Sequence, residues 1–371
     1  MLILDMSLQG INLMRPLRAT INHQALLSNL KHIKKIANQS KVMSVLKANA
    51  YGHNLLDVAK TLDASDGFAV LSINEAIQLR DNDFKQNLLL LEGFFDREEV
   101  NIASEFSINA TVHNQRQIEL INQAKPTLPI NIHLKINTGM NRLGFMPDET
   151  NYLLESLNSN PYIGDIILMT HFSTADEEEG IKKQLSVFNQ IADNYNYPAS
   201  VANSAALIRY PESRLDWVRP GIMLYGLSPF FDKTAKDLKL IPAMSLTSEI
   251  IAIQNIKAGD MVGYGLDFKA KNSMKIGVVA CGYADGYPRH APNGTPVAID
   301  GHLSSLTGRV SMDMLYVDLT QIPNANIGSQ VELWGENISA DSVAKFSGTV
   351  GYELICAVSA SQRVPLRNIN A

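Results

Sequence analysis

The chain has 371 residues, 46% of them hydrophobic and 19% charged, and a formal net charge of −5. That is an ordinary globular composition, long enough for about two domains with sizeable cores, and its acidic balance excludes a broad phosphate-backbone footprint and hence nucleic acid as a partner. Two cysteines, Cys281 and Cys356, with no CxxC pair, suggest neither a disulfide framework nor a metal site and fit a reducing compartment. The opening MLILDMSLQGINLM carries Asp5, Gln9 and Asn12 and lacks the basic and apolar regions of a secretory signal. No apolar run approaches the roughly 20 residues that span a bilayer. The expectation is a soluble cytoplasmic protein with no membrane contact, in which residues 1–14 form a partly ordered lead-in.

Taken in order, the first half alternates helix and strand. Leu26, Leu27, Leu30, Ile33 and Ile36 recur at helical spacing across Ala25–Ala37. The apolar run Val42–Leu46 follows, bounded by Lys41 and by turn-prone Asn49, Gly52 and Asn54, and reads as a strand buried on both faces. Further apolar runs lie at Gly67–Leu71, Leu88–Leu91, Ile108–Val112, Ile130–Ile136, Ile163–Thr170, Ala199–Ala202 and Trp217–Val218, the last weakly marked. Helical patterns such as Asn74–Arg80, Gln115–Gln123 and Lys182–Asp193 separate most of them. About eight strands with helical crossovers predict a (β/α)8 barrel of the TIM type. The acidic run Asp176–Glu179 reads as a solvated helix start.

The texture changes after about Met244. Leu246–Ile253, Lys275–Cys281, Pro296–Ile299, Met314–Val317 and Gln330–Trp334 are short runs separated by Gly, Asn, Asp or Pro, and only Ala340–Phe346 reads as helical. The fold class is therefore α/β plus all-β, with a barrel over residues 15–240 and a strand-rich domain over 241–371. The boundary falls in the polar stretch Phe231–Met244.

A barrel places reactive groups at the C-terminal ends of its strands. Lys47, Lys135, His171, Asn203–Ser204 and Arg219 fall there. Each alone is more often a residue that solvates a strand end. Lys47 is the sharpest case, because an amine just after a buried strand either snorkels to solvent or is desolvated, with a lowered pKa that suits it to bond an aldehyde.

The surrounding segment, Lys47-Ala-Asn-Ala-Tyr51-Gly-His, closely resembles the pyridoxal-phosphate lysine segment of the alanine racemases, a fold-type III family. The resemblance continues in order through HLKINTGMNRLGF (133–145), THFSTADE, VANSAAL, VRPGIMLYGLSP, VGYGLDF, GYADGYPR, GRVSMDM and GYELICAVSASQRVPLR, covering Arg18 to Arg367. It implies that Lys47 carries the cofactor and that Tyr51 contacts its phosphate. It implies further phosphate donors in Ser204, the backbone N–H groups of Gly221 and Ile222, and Tyr352, with Asn203 alongside. Arg219 would face the pyridine nitrogen. A guanidinium only donates hydrogen bonds, so that nitrogen would stay unprotonated and the ring would be a weaker electron sink than one paired with a carboxylate.

By the same resemblance Arg142 contacts the substrate carboxylate and Lys135, beside it, is a candidate for carbamylation. His171 helps hold the catalytic residues. Met312 supplies a backbone N–H beside the substrate carboxylate, next to Asp313, and Tyr283 lies near the substrate entrance. Tyr264 would be the second acid/base, reaching the cofactor from the opposite face and from the partner subunit, so that the active site belongs to a homodimer. A free tyrosine titrates near 10, and it needs nearby positive charge, from Arg219 through His171, to act as a base. Residue 200 is Ser where some members have His, which weakens any inference about a partner for Arg219. The implied activity interconverts L- and D-alanine for peptidoglycan. A broader serine racemase, a fold-type III basic amino-acid decarboxylase and a non-catalytic cofactor-binding protein are the alternatives. Arg219 and the GYADG segment argue against the decarboxylase, and a C-terminal domain bearing Tyr264 argues against the binding protein.

Overall fold

Asn22 caps α1 (His23–Ala37) by accepting the Ala25 N–H at 3.0 Å, and the strand before it, β1 (Arg18–Asn22), already departs from the expected division. In the computed structural model, which describes residues 15–369, β1 pairs antiparallel with one strand of the C-terminal domain and parallel with another. Residues 18–22 thus join the C-terminal sheet, although they lie within the span expected to be barrel. The lead-in at 1–14 lies outside the described residues.

The barrel runs in sequence order. Its strands are β2 (Lys41–Val45), β3 (Gly67–Val70), β4 (Asn87–Leu90), β5 (Ile108–Val112), β6 (Ile130–Lys135), β7 (Ile163–Met169), β8 (Ala199–Ser200) and β9 (Trp217–Val218), all parallel, with β9 closing on β2. The eight strands are those read from the apolar runs. Between β2 and β3 lie α2 (Lys47–Gly52) and α3 (Leu55–Thr61), followed by α4 (Ile73–Asp81), α5 (Arg97–Glu105), α6 (Gln115–Ala124), α7 (Thr150–Asn158), α8 (Lys182–Ala192) and α9 (Ser204–Arg209) at the later crossovers. Side-chain oxygens of Ser72, Asp96, Asn114 and Asn203 cap four of them. The Asp176–Glu179 run is not a helix start. α8 begins only at Lys182, and the acidic run is pinned as a turn by Arg209, which donates to the Asp176 carbonyl at 2.7 Å, and by Thr174, which donates to the Gly180 carbonyl at 2.8 Å.

The second domain is built on one long strand, β10 (Met244–Ile256), with a hairpin β11 (Met261–Val262) and β12 (Phe268–Lys269) projecting beyond it. β13 (Met274–Val279), β14 (Pro296–Ile299), β15 (His302–Ser305), β16 (Leu315–Asp318) and β17 (Gln330–Trp334) follow, then α10 (Ala340–Phe346), α11 (Gly351–Ala360) and β18 (Leu366–Ile369). β10 pairs with β1 and β17 along its first half and with β13 along its second, with an irregularity between Ile250 and Ala252. The helix α11 was not expected. GYELICAVSA is apolar nearly all round, so no 3.6-residue alternation shows in it. It is wedged against α2 of the barrel, and Asn49 Nδ2 donates to Ser359 Oγ across that contact at 3.2 Å. A C-terminal helix therefore forms part of the barrel mouth.

Candidate active site

Lys47 lies just past the end of β2, two residues after Val45. It opens a tight turn in which Ala48, Asn49, Ala50 and Tyr51 all have φ between 51° and 55°. Four successive non-glycine residues in the left-handed region cost about 1–2 kcal/mol each, so other contacts must hold them. Asn49 supplies several: its Oδ1 accepts the Leu55 N–H at 2.8 Å and its own N–H donates to Glu75 Oε1 at 3.3 Å, beside the bond to Ser359. The turn brings both Lys47 and Tyr51 to the wall of a cavity of about 1040 Å³ at the C-terminal end of the barrel.

The cavity gathers Lys47, Tyr51, Glu92, Lys135, Arg142, His171, Asn203, Ser204, Arg219, Gly221, Ile222, Tyr352 and Cys356. Ten of these were expected at the site from the sequence, together with Lys135. One corner is a cluster of donors. The Gly221 N–H donates to Ser204 Oγ at 3.0 Å. A Cβ on Gly221 would stand 2.7 Å from the Tyr51 hydroxyl, so the glycine leaves that hydroxyl room close beside the backbone. Tyr352 brings its ring centroid to 6.0 Å from that of Tyr51, and the Ile222 N–H has no acceptor among the described residues. Asn203 caps α9 by accepting the Ala206 N–H at 2.9 Å, which holds Ser204 in place. Hydroxyls and backbone N–H groups converging on one spot suit a phosphate.

Cations line the cavity as well. Burial first, and then Arg142, lower the pKa of Lys47, against the pull of Glu92, Cys356 and Glu75. Burial and the charges of Arg219, Arg142 and Lys47 bring Lys135 down to about 8. His171 is pushed well below its ordinary value by burial and by the same cations, so it is a neutral imidazole. Arg219 is buried, with Nη1 donating to the Ser200 carbonyl and to Ser200 Oγ, both at 2.6 Å, and Nη2 donating to the Thr170 carbonyl at 2.7 Å. Its Nε–H has no acceptor among the described residues. Ser200 is therefore the partner of Arg219, filling with a hydroxyl the place where a histidine was the alternative.

Glu92, Cys356 and Ser200 were not singled out as site residues. Glu92 stands two residues past β4, as Lys47 does past β2, so the strand-end rule that selected Lys47 could have found it. Its loop is fixed by Gln117, whose Nε2 donates to the Glu92 carbonyl at 2.7 Å. Cys356 lies on the helix that the sequence did not reveal.

The remaining expected residues are not at this cavity. Tyr264, in the turn between β11 and β12, is 71% exposed, Met312 is 52% exposed and Tyr283 38%, and Asp313 binds Arg363 through its carboxylate at 2.6 Å. A single chain does not bring Tyr264 to Lys47. Among the described residues no group of three or more His, Cys, Asp or Glu is placed to hold a metal ion, and no helix is long and apolar enough to cross a membrane.

Residues 21–229 match the family model for the N-terminal domain of alanine racemase and residues 243–367 the model for its C-terminal domain. The alanine racemase of Erwinia tasmaniensis is 49% identical over 356 residues, spanning 95% of this chain and 99% of that protein, and that of Nitrosospira multiformis is 48% identical over 93% and 98%. Among solved structures, the biosynthetic alanine racemase of Pseudomonas aeruginosa superposes with a TM-score of 0.94 at 43% identity, covering 96% of this chain and all of that one. The Acinetobacter baumannii enzyme gives 0.91 at 42% identity over the same shares.

Proposed function

This chain belongs to the alanine racemase family and is an isomerase that interconverts L- and D-alanine; from that premise we propose pyridoxal 5′-phosphate as its cofactor, a homodimer as its working form and the cytoplasm as its place of work. The D-alanine it makes serves peptidoglycan. The observation that carries the cofactor assignment is the pairing, in one cavity, of a desolvated lysine with a corner of phosphate donors.

Lys47 would hold the cofactor covalently, Tyr51, Ser204, Gly221, Ile222 and Tyr352 its phosphate, and Arg219, through its uncommitted Nε–H, its ring nitrogen. Bound there, the group supplies an electron sink for the charge left on the substrate α-carbon. The side chains do the rest. Lys47 takes the α-proton of D-alanine, and its lowered pKa raises the fraction of neutral amine near pH 7. Racemisation returns a proton on the other face of the carbon, and Tyr264 of the partner subunit is that donor, becoming the base when L-alanine is the substrate. Arg142, at the rim of the cavity, and the Met312 N–H of the partner would bind the carboxylate. The exposed large apolar residues of the C-terminal domain, Tyr264 at 71%, Leu266 at 57% and Met312 at 52%, support a homodimer, since such side chains on a stable protein are often covered by a partner.

Lys135 is suited to carbamylation. At a pKa of about 8 a useful share of it is neutral near pH 7, and the neutral nitrogen can bond the carbon of CO2 and release one proton. The product is an anion among Arg142, Arg219 and Lys47, where a cation is repelled. Intact-mass measurement with and without bicarbonate tests this, and an unmodified lysine in saturating CO2 would exclude it.

The function is tested by assaying the purified protein with L-alanine, serine and lysine and following the opposite enantiomer. A small pocket rejects an added hydroxyl poorly, so slow turnover of serine is expected beside fast turnover of alanine. Release of CO2 from ornithine, lysine or arginine, without racemisation of alanine, would overturn the assignment.

A further inference from the structure

Two loops of the C-terminal domain carry the exposed residues Tyr283 and Met312, and they are stitched together. The Tyr283 N–H donates to the Ser311 carbonyl at 3.1 Å and the Ala284 N–H to the Met312 carbonyl at 3.0 Å. Gly282 lies so close that a Cβ on it would stand 2.3 Å from the Met312 oxygen. Beneath the seam is Asp285, wholly buried. Its Oδ2 accepts the Gly282 N–H at 2.9 Å, both of its oxygens accept from Arg15 Nη1 at 2.7 Å, and Arg363 Nε stands 3.3 Å from Oδ1.

The same two arginines reach the other loop. Arg363 Nη2 donates to Asp313 Oδ1 at 2.6 Å, and Arg15 Nη2 donates to the Asp313 carbonyl. Arg15 comes from before β1 and Arg363 from just before β18, strands that lie side by side in the sheet. A buried carboxylate is costly unless paired, and here its pairing joins four segments far apart in the chain. The carbonyls of residues 311, 312 and 313 are all engaged. The Met312 N–H has no acceptor among the described residues.

We infer that Asp285 is a positioning residue: by holding Arg15 and Arg363 it fixes the Met312 peptide, so that its N–H is presented to the α-carboxylate of a substrate in the partner's site. This rests on the shared-site reading above. Asp313 then acts on the substrate only through its neighbour, because its own carboxylate is committed to Arg363.

The test compares Asp285→Asn, Arg363→Gln and Arg363→Lys with the native holoenzyme. Asp285→Asn keeps an acceptor for the Gly282 N–H but drops the charge that pairs two guanidiniums. Loss of an aligned donor to a carboxylate is expected to raise KM for both enantiomers roughly tenfold, with kcat changed less than about threefold. Bound-cofactor absorbance and dimer mass stay as in the native protein, and amide exchange over residues 310–314 speeds up. Arg363→Gln should give a smaller rise in KM, and Arg363→Lys should recover most of it. Unchanged KM in folded, loaded variants would overturn the inference, as would a KM and kcat that fall only in step with lost cofactor or lost dimer. Should Asp285→Asn not fold, the two Arg363 variants decide alone. A native protein that does not racemise alanine would instead refute the shared-site reading. The positioning claim would then stand or fall on whether exchange at 310–314 changes in the variants.

Discussion

At the barrel mouth Arg219, Ser204, Tyr51 and Lys135 are buried and the geometry is fixed several times over. Arg219 donates three short hydrogen bonds to Ser200 and Thr170, Ser204 at the start of α9 accepts from Gly221, and Asn49 braces a strained turn. On the C-terminal face the reverse holds: Tyr264 is 71% exposed and stands on a two-stranded hairpin between glycines at φ 74°. Yet the loops beneath that face are as firmly built as the barrel, around a buried Asp285 with two arginines. The first region is finished by its own chain. The second is organised in its support and open at its tip, as expected of a surface that completes its geometry against a second copy.

The largest effect should come from breaking the finished region. Lys47→Ala removes both the proposed attachment point and one of the two proposed proton carriers, and racemisation should fall by roughly 10³-fold or more in both directions. Residual turnover near the native rate would end the assignment of Lys47. A mixture sharpens the comparison further. Lys47→Ala and Tyr264→Phe subunits, dissociated and reassembled together, should regain about a quarter of native activity, because half of the dimers are mixed and each mixed dimer holds one intact site. No recovery would mean that Tyr264 serves its own chain.

Tyr264→Phe alone breaks the open region. In the proposed reaction racemisation needs both proton carriers, so its rate should drop about 10²–10⁴-fold whichever enantiomer is supplied. Exchange of the α-proton of D-alanine with solvent deuterium needs only Lys47 and should persist. Equal loss of exchange and racemisation would show that the phenol is not a one-face proton carrier.

Much of the barrel mouth could be read in the sequence because its residues lie at the ends of apolar runs, where strand periodicity marks position. Lys47, Lys135, His171, Ser204 and Arg219 follow that rule, and so does Glu92, which was passed over. The left-handed turn after Leu46 could not be read, since Ala48, Ala50 and Tyr51 have no preference for φ > 0 and adopt it only because Asn49, Glu75 and Ser359 hold them. α11 was hidden by its uniform apolarity. β1 reads as the start of the barrel region until its pairing with β10 and β18 is seen, because local sequence does not encode which sheet a strand joins. The Asp285 cluster was invisible for the same reason: Arg15 and Arg363 are hundreds of residues apart in the chain and meet only in the fold.

Lys135 gives a smaller effect with a defined sign. Its folded pKa of about 8 lies below the ordinary lysine value of about 10.4. Between those values the unfolded chain binds more protons than the folded one, so this group makes stability rise with pH across that window. Below pH 8 the charged amine is a full penalty. In cofactor-free protein and CO2-free buffer, Lys135→Met should therefore gain on the native protein at pH 7, by at most about 3 kcal/mol, and that gain should shrink between pH 8 and 10. Urea unfolding at several pH values measures it. A difference that stays flat from pH 7 to 10 would mean that Lys135 is not desolvated among cations.

The smallest expected effect tests how far the barrel mouth is over-determined. Ser200→Ala removes one of the two oxygens that Arg219 Nη1 reaches, but leaves the Ser200 carbonyl at 2.6 Å and the Thr170 carbonyl on Nη2 at 2.7 Å. The guanidinium keeps its plane and its charge stays hydrogen-bonded, so the loss should be about 1 kcal/mol of stability and less than about threefold in kcat. The missing hydroxyl also leaves a space too small to reorient the arginine. A drop of 10²-fold would mean that one serine hydroxyl aims Arg219, and the barrel mouth would then depend on single contacts in the way that the Met312 loop depends on Asp285.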